Sequence, residues 1–80
     1  MTAMSYIVFD VGGIDVPVIF PGTLSHDLVR LKFGSYSPVS AGKVSLKGTL
    51  HCHGKSTSLD MAAREEADSK ILNSWFSLDV

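Results

Sequence analysis

The chain has 80 residues, a hydrophobic fraction of 45% and a charged fraction of 19%, which suit one small domain, more apolar than average. Its formal net charge of −1 disfavours a general nucleic-acid-binding protein, which usually carries a strongly basic surface. The single cysteine, Cys52, excludes an internal disulfide, and the apolar runs are too short to span a membrane. We therefore expect one domain over residues 1–80, with no membrane partner and with further stability from subunit association.

The N-terminal segment predicts a β-hairpin. Residues 6–11 and 16–20 are rich in β-branched and aromatic side chains, and Gly12-Gly13 lies between them, where a tight turn requires positive φ. Pro17 has no N–H to donate, so the second strand is predicted to lie at an edge or to be bulged. Both faces of the hairpin are apolar, so either the chain itself or a second subunit must cover them.

A short helix is predicted over residues 25–32. Ser25 is a suitable N-cap residue, because its hydroxyl can accept a hydrogen bond from the first turn. Leucines recur at the helical spacings of four and three, at Leu24, Leu28 and Leu31. Gly34 is expected to end the helix.

The most regular pattern covers residues 43–55. The odd positions are polar, namely Lys43, Ser45, Lys47, Thr49, His51, His53 and Lys55. The even positions are apolar or glycine, which predicts a half-buried strand. A turn at Lys47-Gly48 would place Leu46 opposite Thr49 and mix the two faces. We therefore predict one long strand, bent or bulged at Gly48, and a return strand over residues 56–62.

Residues 64–77 predict a C-terminal helix with acidic side chains in its first turn. One apolar stripe is expected to cover the sheet, formed by Ala63, Ala67, Ile71, Trp75 and Leu78. Leu72 and Phe76 form a second apolar pair, for which a small monomer offers no obvious place. We predict that this pair, with Tyr6 and Val8 of the hairpin, forms the interface of a homo-oligomer.

Together these elements predict an α+β fold. It would contain a small antiparallel sheet of four or five strands, a short helix and a C-terminal helix packed on the sheet.

The segment HCHGKSTS at positions 51–58 suggests metal or phosphate chemistry. His51 and His53 would point the same way on a strand, but Cys52 would point to the opposite face, so the three cannot bind one ion together. Gly48 lies one residue too far from Gly54 for a Walker A loop, and the flanking residues look extended. No metal site and no cofactor is predicted.

A looser anion site is compatible with the same segment, because lysines, histidines and hydroxyls suit a phosphate or a nucleotide. The candidate residues are Lys47, His51, His53, Lys55, Ser56 and Thr57. The alternative is a solvated, lysine-rich strand face, which discourages pairing with other sheets. No catalytic set of Ser, His and Asp can be placed, so the chain is not predicted to be an enzyme.

Several fragments resemble small phage- and prophage-encoded accessory proteins, a type without an assigned activity. They are YIVFDVGGIDVPVIFP with His26 soon after, VSAGKVSL, GKSTSL, and REEAD at the start of the last helix. In chain order they cover most of the sequence. The resemblance implies no catalytic residue for this chain. It implies an accessory phage product, and such products often bind and disable a host component, including defence systems.

We therefore expect a non-enzymatic binding protein, of the phage accessory or counter-defence type. It would bind a host protein or sequester a small anionic, nucleotide-like ligand. The alternative is a structural or assembly component, such as a virion or morphogenesis protein. The first residues lack the basic and apolar regions of a secretory signal, so a cytoplasmic location is expected, in the host if the gene is viral.

Overall fold

The computed structural model describes residues 4–76, which form six strands and two helices. In chain order these are β1 (Met4–Val11), β2 (Ile14–Pro21), α1 (His26–Lys32), β3 (Ser37–Lys47), β4 (Thr49–His53), β5 (Lys55–Ser56), β6 (Met61–Ala62) and α2 (Glu65–Phe76). Strands β1 to β4 form one antiparallel sheet in the order β2-β1-β3-β4, and β5 pairs with β6 separately. The predicted α+β fold is confirmed.

The N-terminal β-hairpin forms as predicted. Gly12 and Gly13 alone connect the strands, with φ angles of 62° and 86°, which glycine adopts without steric cost. β2 is an edge strand, as Pro17 indicated. Hydrogen-bonded pairs recur at every second residue from the turn, so Pro17 and Pro21 occupy positions whose nitrogen faces outward. The two prolines thus remove donors from this edge without breaking the β1–β2 ladder.

The chain turns back at Gly48, so the prediction of one long strand is wrong. Gly48 has a φ of 77°, Lys47 pairs with Thr49, and Leu46 pairs with Leu50. A turn centred on one even-numbered residue pairs odd positions with odd and even positions with even. The polar and apolar faces are therefore preserved across the turn, and the mismatch expected for a turn at Lys47-Gly48 does not arise.

The predicted return strand over residues 56–62 is also wrong as one continuous strand, because only its ends lie in strands, Ser56 in β5 and Met61–Ala62 in β6. Residues 57–60 form a turn between β5 and β6. The backbone N–H of Asp60 donates to the carbonyl of Thr57 at 3.2 Å, and Asp60 has a φ of 53°. Serine, threonine and aspartate stabilise such turns through their side chains, which outweighs the weak alternation of apolar residues.

The chain itself covers both faces of its sheet. On the face that packs against α2, here called the α2 face, the core consists of Tyr6, Val8, Val44, Leu50, Cys52 and Leu72. On the opposite face, here called the α1 face, the core consists of Ile7, Phe9, Phe20, Val29 and Ala41. Helix α1 contributes Val29, and the segment around β6 adds Leu59 and Met61. The two-sided hairpin is thus buried without a second subunit.

Helix α2 packs on the sheet, but with a different side from the predicted one. Leu72, expected to lie to one side, is fully buried. Of the stripe expected to face the sheet, Ile71 is half-buried, while Ala67 and Trp75 are exposed. Leu78 lies outside the described residues.

A buried polar contact explains this orientation. Asp68, one turn before Leu72, is 0% exposed. The hydroxyl of Tyr6 donates to its Oδ2 at 2.5 Å, and Arg64 donates to its Oδ1 from Nε at 3.0 Å. A buried carboxylate is tolerated only when it is hydrogen-bonded and paired with a cation. The apolar pattern alone does not reveal that such a carboxylate faces the sheet.

Candidate anion-binding site

The polar side chains of β3 and β4 lie together on the α1 face. Lys43 pairs with His53, and Ser45 pairs with His51. Lys43 and buried Ala41 are two residues apart on β3, so their side chains share the α1 face. One end of this face is therefore covered by α1, and the other end is open and polar.

A cleft of about 330 Å³ lies at the boundary between these two ends. Ser5 and Lys43, which pair on neighbouring strands, contribute from the sheet, while the start of α1 and residues 55–58 contribute from above. The lining residues are Ser5, Gly22, Leu24, Ser25, His26, Lys43, Lys55, Ser56, Thr57 and Ser58. Among the described residues this lining includes two lysines, one histidine and no carboxylate, and we call it the basic cleft.

The loop that carries Lys55 and Thr57 is fixed by local hydrogen bonds. Gly54 has a φ of 74°, which allows the chain to leave β4 sharply. Ser56 is 1% exposed, and its Oγ accepts a hydrogen bond from the backbone N–H of Leu59 at 3.3 Å. The hydroxyl of Ser56 therefore stabilises the loop, while Lys55 and Thr57 are exposed beside the cleft.

His26 is held in place by two contacts. Its Nε2–H donates to the carbonyl of Gly42 at 2.9 Å, and its ring packs edge-on against Phe20 with the centroids 5.1 Å apart. A carbonyl oxygen can only accept, so Nε2 carries a proton in this arrangement. The contact ties the start of α1 to β3 beside the cleft.

Ser5 contributes a hydroxyl to the cleft from the sheet. Its side chain lines the cleft and is 5% exposed. Among residues 4–76, the hydrogen bonds of the structure include none from the Ser5 hydroxyl. The Ser5 hydroxyl can therefore donate to a polar atom that enters the cleft.

The structure divides the predicted anion-binding residues into separate groups. Lys55, Ser56 and Thr57 line the basic cleft. His53 lies beside Lys43 in the sheet, and its Nε2 is hydrogen-bonded to Ser45 Oγ at 2.9 Å.

The other two predicted residues lie away from the cleft. Lys47 precedes the Gly48 turn, and His51 lines a different groove. Sequence reasoning missed Ser5, Ser25 and His26 as cleft residues. They are distant from the HCHGKSTS segment along the chain, and only the pairing of β1 with β3 and the packing of α1 bring them to it.

The groove that contains His51 runs between β4 and α2, and its volume is about 590 Å³. Its lining combines carboxylates with a lysine and includes Glu65, Glu66, Ser69, Lys70 and Asn73. Ser69 and Asn73 are already engaged, since they bind the backbone of Cys52 and Leu50. Although this groove is larger, its mixed charge and engaged polar groups make it a poorer anion site than the basic cleft.

Three of the four residues predicted to form a subunit interface are buried within the chain. Tyr6, Val8 and Leu72 are each 0% exposed, so they have no surface to offer a second copy. The prediction was wrong for these residues because α2 turns Leu72 towards the sheet and covers the hairpin itself. Phe76 is 47% exposed and keeps a surface for contact.

The buried polar cluster under α2 superficially resembles a reactive centre. Burial, reinforced by the hydrogen bond to Asp68, raises the pKa of the Tyr6 hydroxyl far above its usual value. Burial also raises the pKa of the Cys52 thiol to about 11. Both groups are therefore protonated at neutral pH, and a protonated thiol is a weak nucleophile. The cluster orients α2, and its chemistry is that of a structural core.

No protein-family model matches the chain, and no significant match was found among curated proteins or solved structures. The resemblance to phage accessory proteins therefore stays a prediction. No helix among residues 4–76 has the length and hydropathy needed to cross a bilayer. In the same part of the chain, no three His, Cys, Asp or Glu side chains are placed to hold a metal ion.

Proposed function

We propose that this is a non-enzymatic binding protein that holds a small phosphate-bearing ligand in the basic cleft. The observation that supports this is the convergence of Lys43, Lys55 and His26 from three separate segments on one cleft without a carboxylate. Cations that face each other repel, and a bound anion relieves that repulsion. A nucleotide-like ligand is the class we favour, with its phosphate between the two lysines.

The hydrogen-bonding groups of the cleft suit the same ligand. Hydroxyls of Ser5, Ser25 and Thr57 can each donate to a phosphate oxygen. Lys43 and Lys55 form no ion pair with any residue in the range 4–76, so both are available to a ligand. Charge-assisted hydrogen bonds of this type are roughly twice as strong as neutral ones.

The size of the cleft limits the ligand. A volume of about 330 Å³ lies at the lower end of small-molecule sites, which run from about 300 to 1,000 Å³. Leu24 provides an apolar side chain at the rim, suited to the flat surface of a base or a short hydrocarbon group. In a phage setting, such a protein would act by sequestering a nucleotide-like ligand of the host.

Isothermal titration calorimetry tests the proposal, with inorganic phosphate and a nucleoside monophosphate as probes. We expect Lys43→Ala and Lys55→Ala each to weaken binding about tenfold or more, since a hydrogen bond to a charged group contributes about 1.5–3 kcal/mol. Lys47→Ala and Lys70→Ala are matched controls outside the cleft and should change the affinity less than about twofold. Circular dichroism would verify that all four variants fold.

Two results would overturn the proposal. One is the absence of binding by the wild-type protein to either probe at millimolar concentration. The other is loss of binding in Lys47→Ala with binding intact in Lys55→Ala, which would place the anion at the Gly48 turn.

An assembly component is the second candidate function, favoured by exposed apolar side chains on both sides of the molecule, including Leu31 and Trp75. A component of a larger particle should co-sediment with particles isolated from producing cells. A protein found only in the soluble fraction would exclude this role.

A further inference from the structure

Helix α1 exposes the apolar stripe that the sequence pattern shows. Leu24, Leu28 and Leu31 are 46%, 57% and 65% exposed, and we call them the α1 patch. Val29 is the buried residue of the helix. The stripe is therefore on the outer side of α1, where single exposed leucines are ordinary but three neighbours form a patch.

A second apolar patch lies on the other side of the sheet. It consists of Met4, Leu46, Trp75 and Phe76, which are 40%, 61%, 53% and 47% exposed. Met4 pairs with Val44 and Leu46 follows on the same face. Ser69 contacts Cys52 and Asn73 contacts Leu50, so α2 runs along β4 towards the Gly48 turn and ends near Leu46. We call this the α2 patch.

The two sides of the molecule also differ in charge. The α1 side carries five cations, namely Arg30, Lys32, Lys43, Lys47 and Lys55, none of them in an ion pair with residues 4–76. Against them stand Asp27 and Asp60, which leaves an excess of three positive charges. The α2 side carries five carboxylates, namely Asp10, Asp15, Glu65, Glu66 and Asp68, and two cations, Arg64 and Lys70. Its excess is three negative charges.

We propose that copies of this chain associate head to tail, with the α1 patch of one copy on the α2 patch of the next. Each patch is apolar, and the two sides of the molecule that carry them have opposite excess charge, so they complement each other. Contact between two α1 patches would instead bring two positive surfaces together, which is unfavourable. A contact between different surfaces forms a ring where the rotation closes and a filament where it does not.

The molecule is large enough for this arrangement. Its accessible surface of 5013 Å² accommodates two interfaces of about 800 Å² per partner, which is the standard size of a stable contact. This association goes beyond ligand binding, although Leu24 belongs to both the α1 patch and the basic cleft. Leu31 and Trp75 do not line the cleft, so association and ligand binding can be tested separately.

A complementation experiment tests the proposal. Leu31→Glu blocks the α1 patch and Trp75→Glu blocks the α2 patch, and both positions are more than half exposed, so the fold should tolerate them. In sedimentation velocity, we expect the wild type to assemble with rising concentration and each variant alone to remain a monomer. An equimolar mixture should form a dimer and nothing larger, because each variant retains one intact patch. Ile14→Glu, at a position 61% exposed on the hairpin, is the matched control and should assemble like the wild type.

Other outcomes would overturn the proposal. If Leu31→Glu is monomeric while Trp75→Glu still dimerises, the contact joins two α1 patches. If the wild type stays monomeric up to about 1 mM, the patches face a different molecule. If only a variant lacking residues 77–80 assembles, the end of the chain itself covers the α2 patch.

Discussion

Asn73 binds Leu50 in the way that a neighbouring strand would. Its Oδ1 accepts from the backbone N–H of Leu50 at 2.8 Å, and its Nδ2 donates to the carbonyl of Leu50 at 2.9 Å. One turn earlier, Ser69 Oγ accepts from the backbone N–H of Cys52 at 2.9 Å. Helix α2 thus occupies the outward hydrogen-bonding groups of β4. Together with the prolines of β2, it leaves the sheet few groups for pairing with another chain.

Replacing Asn73 should both destabilise the fold and open this edge. We expect Asn73→Ala to lower the free energy of unfolding by about 1–2 kcal/mol, because two partly buried backbone groups of Leu50 lose their partners. Urea denaturation measures the change, and thioflavin T fluorescence reports β-aggregation. Ser74→Ala, at the exposed neighbouring position, should change neither quantity. Equal stability of the two variants would show that Asn73 does not contribute through this contact.

Tyr6 and Asp68 should prove energetically coupled. Tyr6→Phe leaves the buried carboxylate of Asp68 without its hydroxyl donor, which should cost about 1–3 kcal/mol. A double-mutant cycle with Asp68→Asn, measured by urea denaturation, gives the coupling energy. Tyr36→Phe removes the hydroxyl of an exposed tyrosine and serves as the control. Additive effects of the two substitutions would contradict a direct interaction.

Alkaline pH should destabilise the protein. Burial raises the pKa of Cys52 from 9.0 to about 11, so the folded state retains a proton that the unfolded state releases. The corresponding stability is present below about pH 9 and is lost as the pH rises to about 11. Two pKa units correspond to roughly 2–3 kcal/mol. Tyr6, whose pKa is also raised, acts in the same direction above about pH 10.

The measurement is urea denaturation at a series of pH values, with Cys52→Ala as the comparison. We expect the stability of the wild type to fall more steeply between pH 9 and 11 than that of the variant. Ellman's reagent should also react slowly with the native protein at pH 8 and rapidly with the unfolded protein. Rapid reaction of the folded protein would contradict the burial of this thiol.

Gly42 should be irreplaceable for a steric reason. A Cβ at this position would lie 2.6 Å from the carbonyl oxygen of His53 and 3.0 Å from the Cβ of Ala63. Since a backbone atom cannot move aside cheaply, we expect Gly42→Ala to lower the midpoint of thermal unfolding by 10 °C or more, corresponding to about 2 kcal/mol or more. Gly34→Ala is the matched control, because its nearest neighbour would be 3.6 Å away. Equal midpoints for the two variants would contradict the close packing at Gly42.

The elements that depend on local chemistry were predictable. Gly12-Gly13 needs only its own backbone freedom to make a turn, and Ser25 caps α1 with its own hydroxyl. The turn at Gly48 was missed because alternation is compatible with one strand or with two strands around an even-numbered residue. The arrangement of two strands is favoured only by tertiary contacts, those of β4 with β3 and with α2.

Fewer features of the candidate site than of the fold could be predicted from the sequence. Lys55, Ser56 and Thr57 were identified as a polar, basic segment, and the cleft does include them. His51, His53 and Lys47 are polar too, but they do not line the cleft. The polarity of a side chain does not specify at which end of a strand it lies. Ser5 could not be identified as a cleft residue, since a serine at the start of a strand is common and only the tertiary structure shows that it lines the cleft.

Four features could be predicted from the sequence alone: the α+β class, the first hairpin, the Ser25 N-cap of α1, and the separation of polar from apolar faces on β3 and β4. These follow from backbone preferences and side-chain periodicity, which act over a few residues. The tertiary structure decided which side of α2 faces the sheet, how α1 exposes its leucines, and which residues meet at the basic cleft. These features depend on contacts between segments that are distant in the sequence. The most important is the hydrogen bond between Tyr6 and Asp68, which stabilises the position of α2 because both side chains are buried away from water.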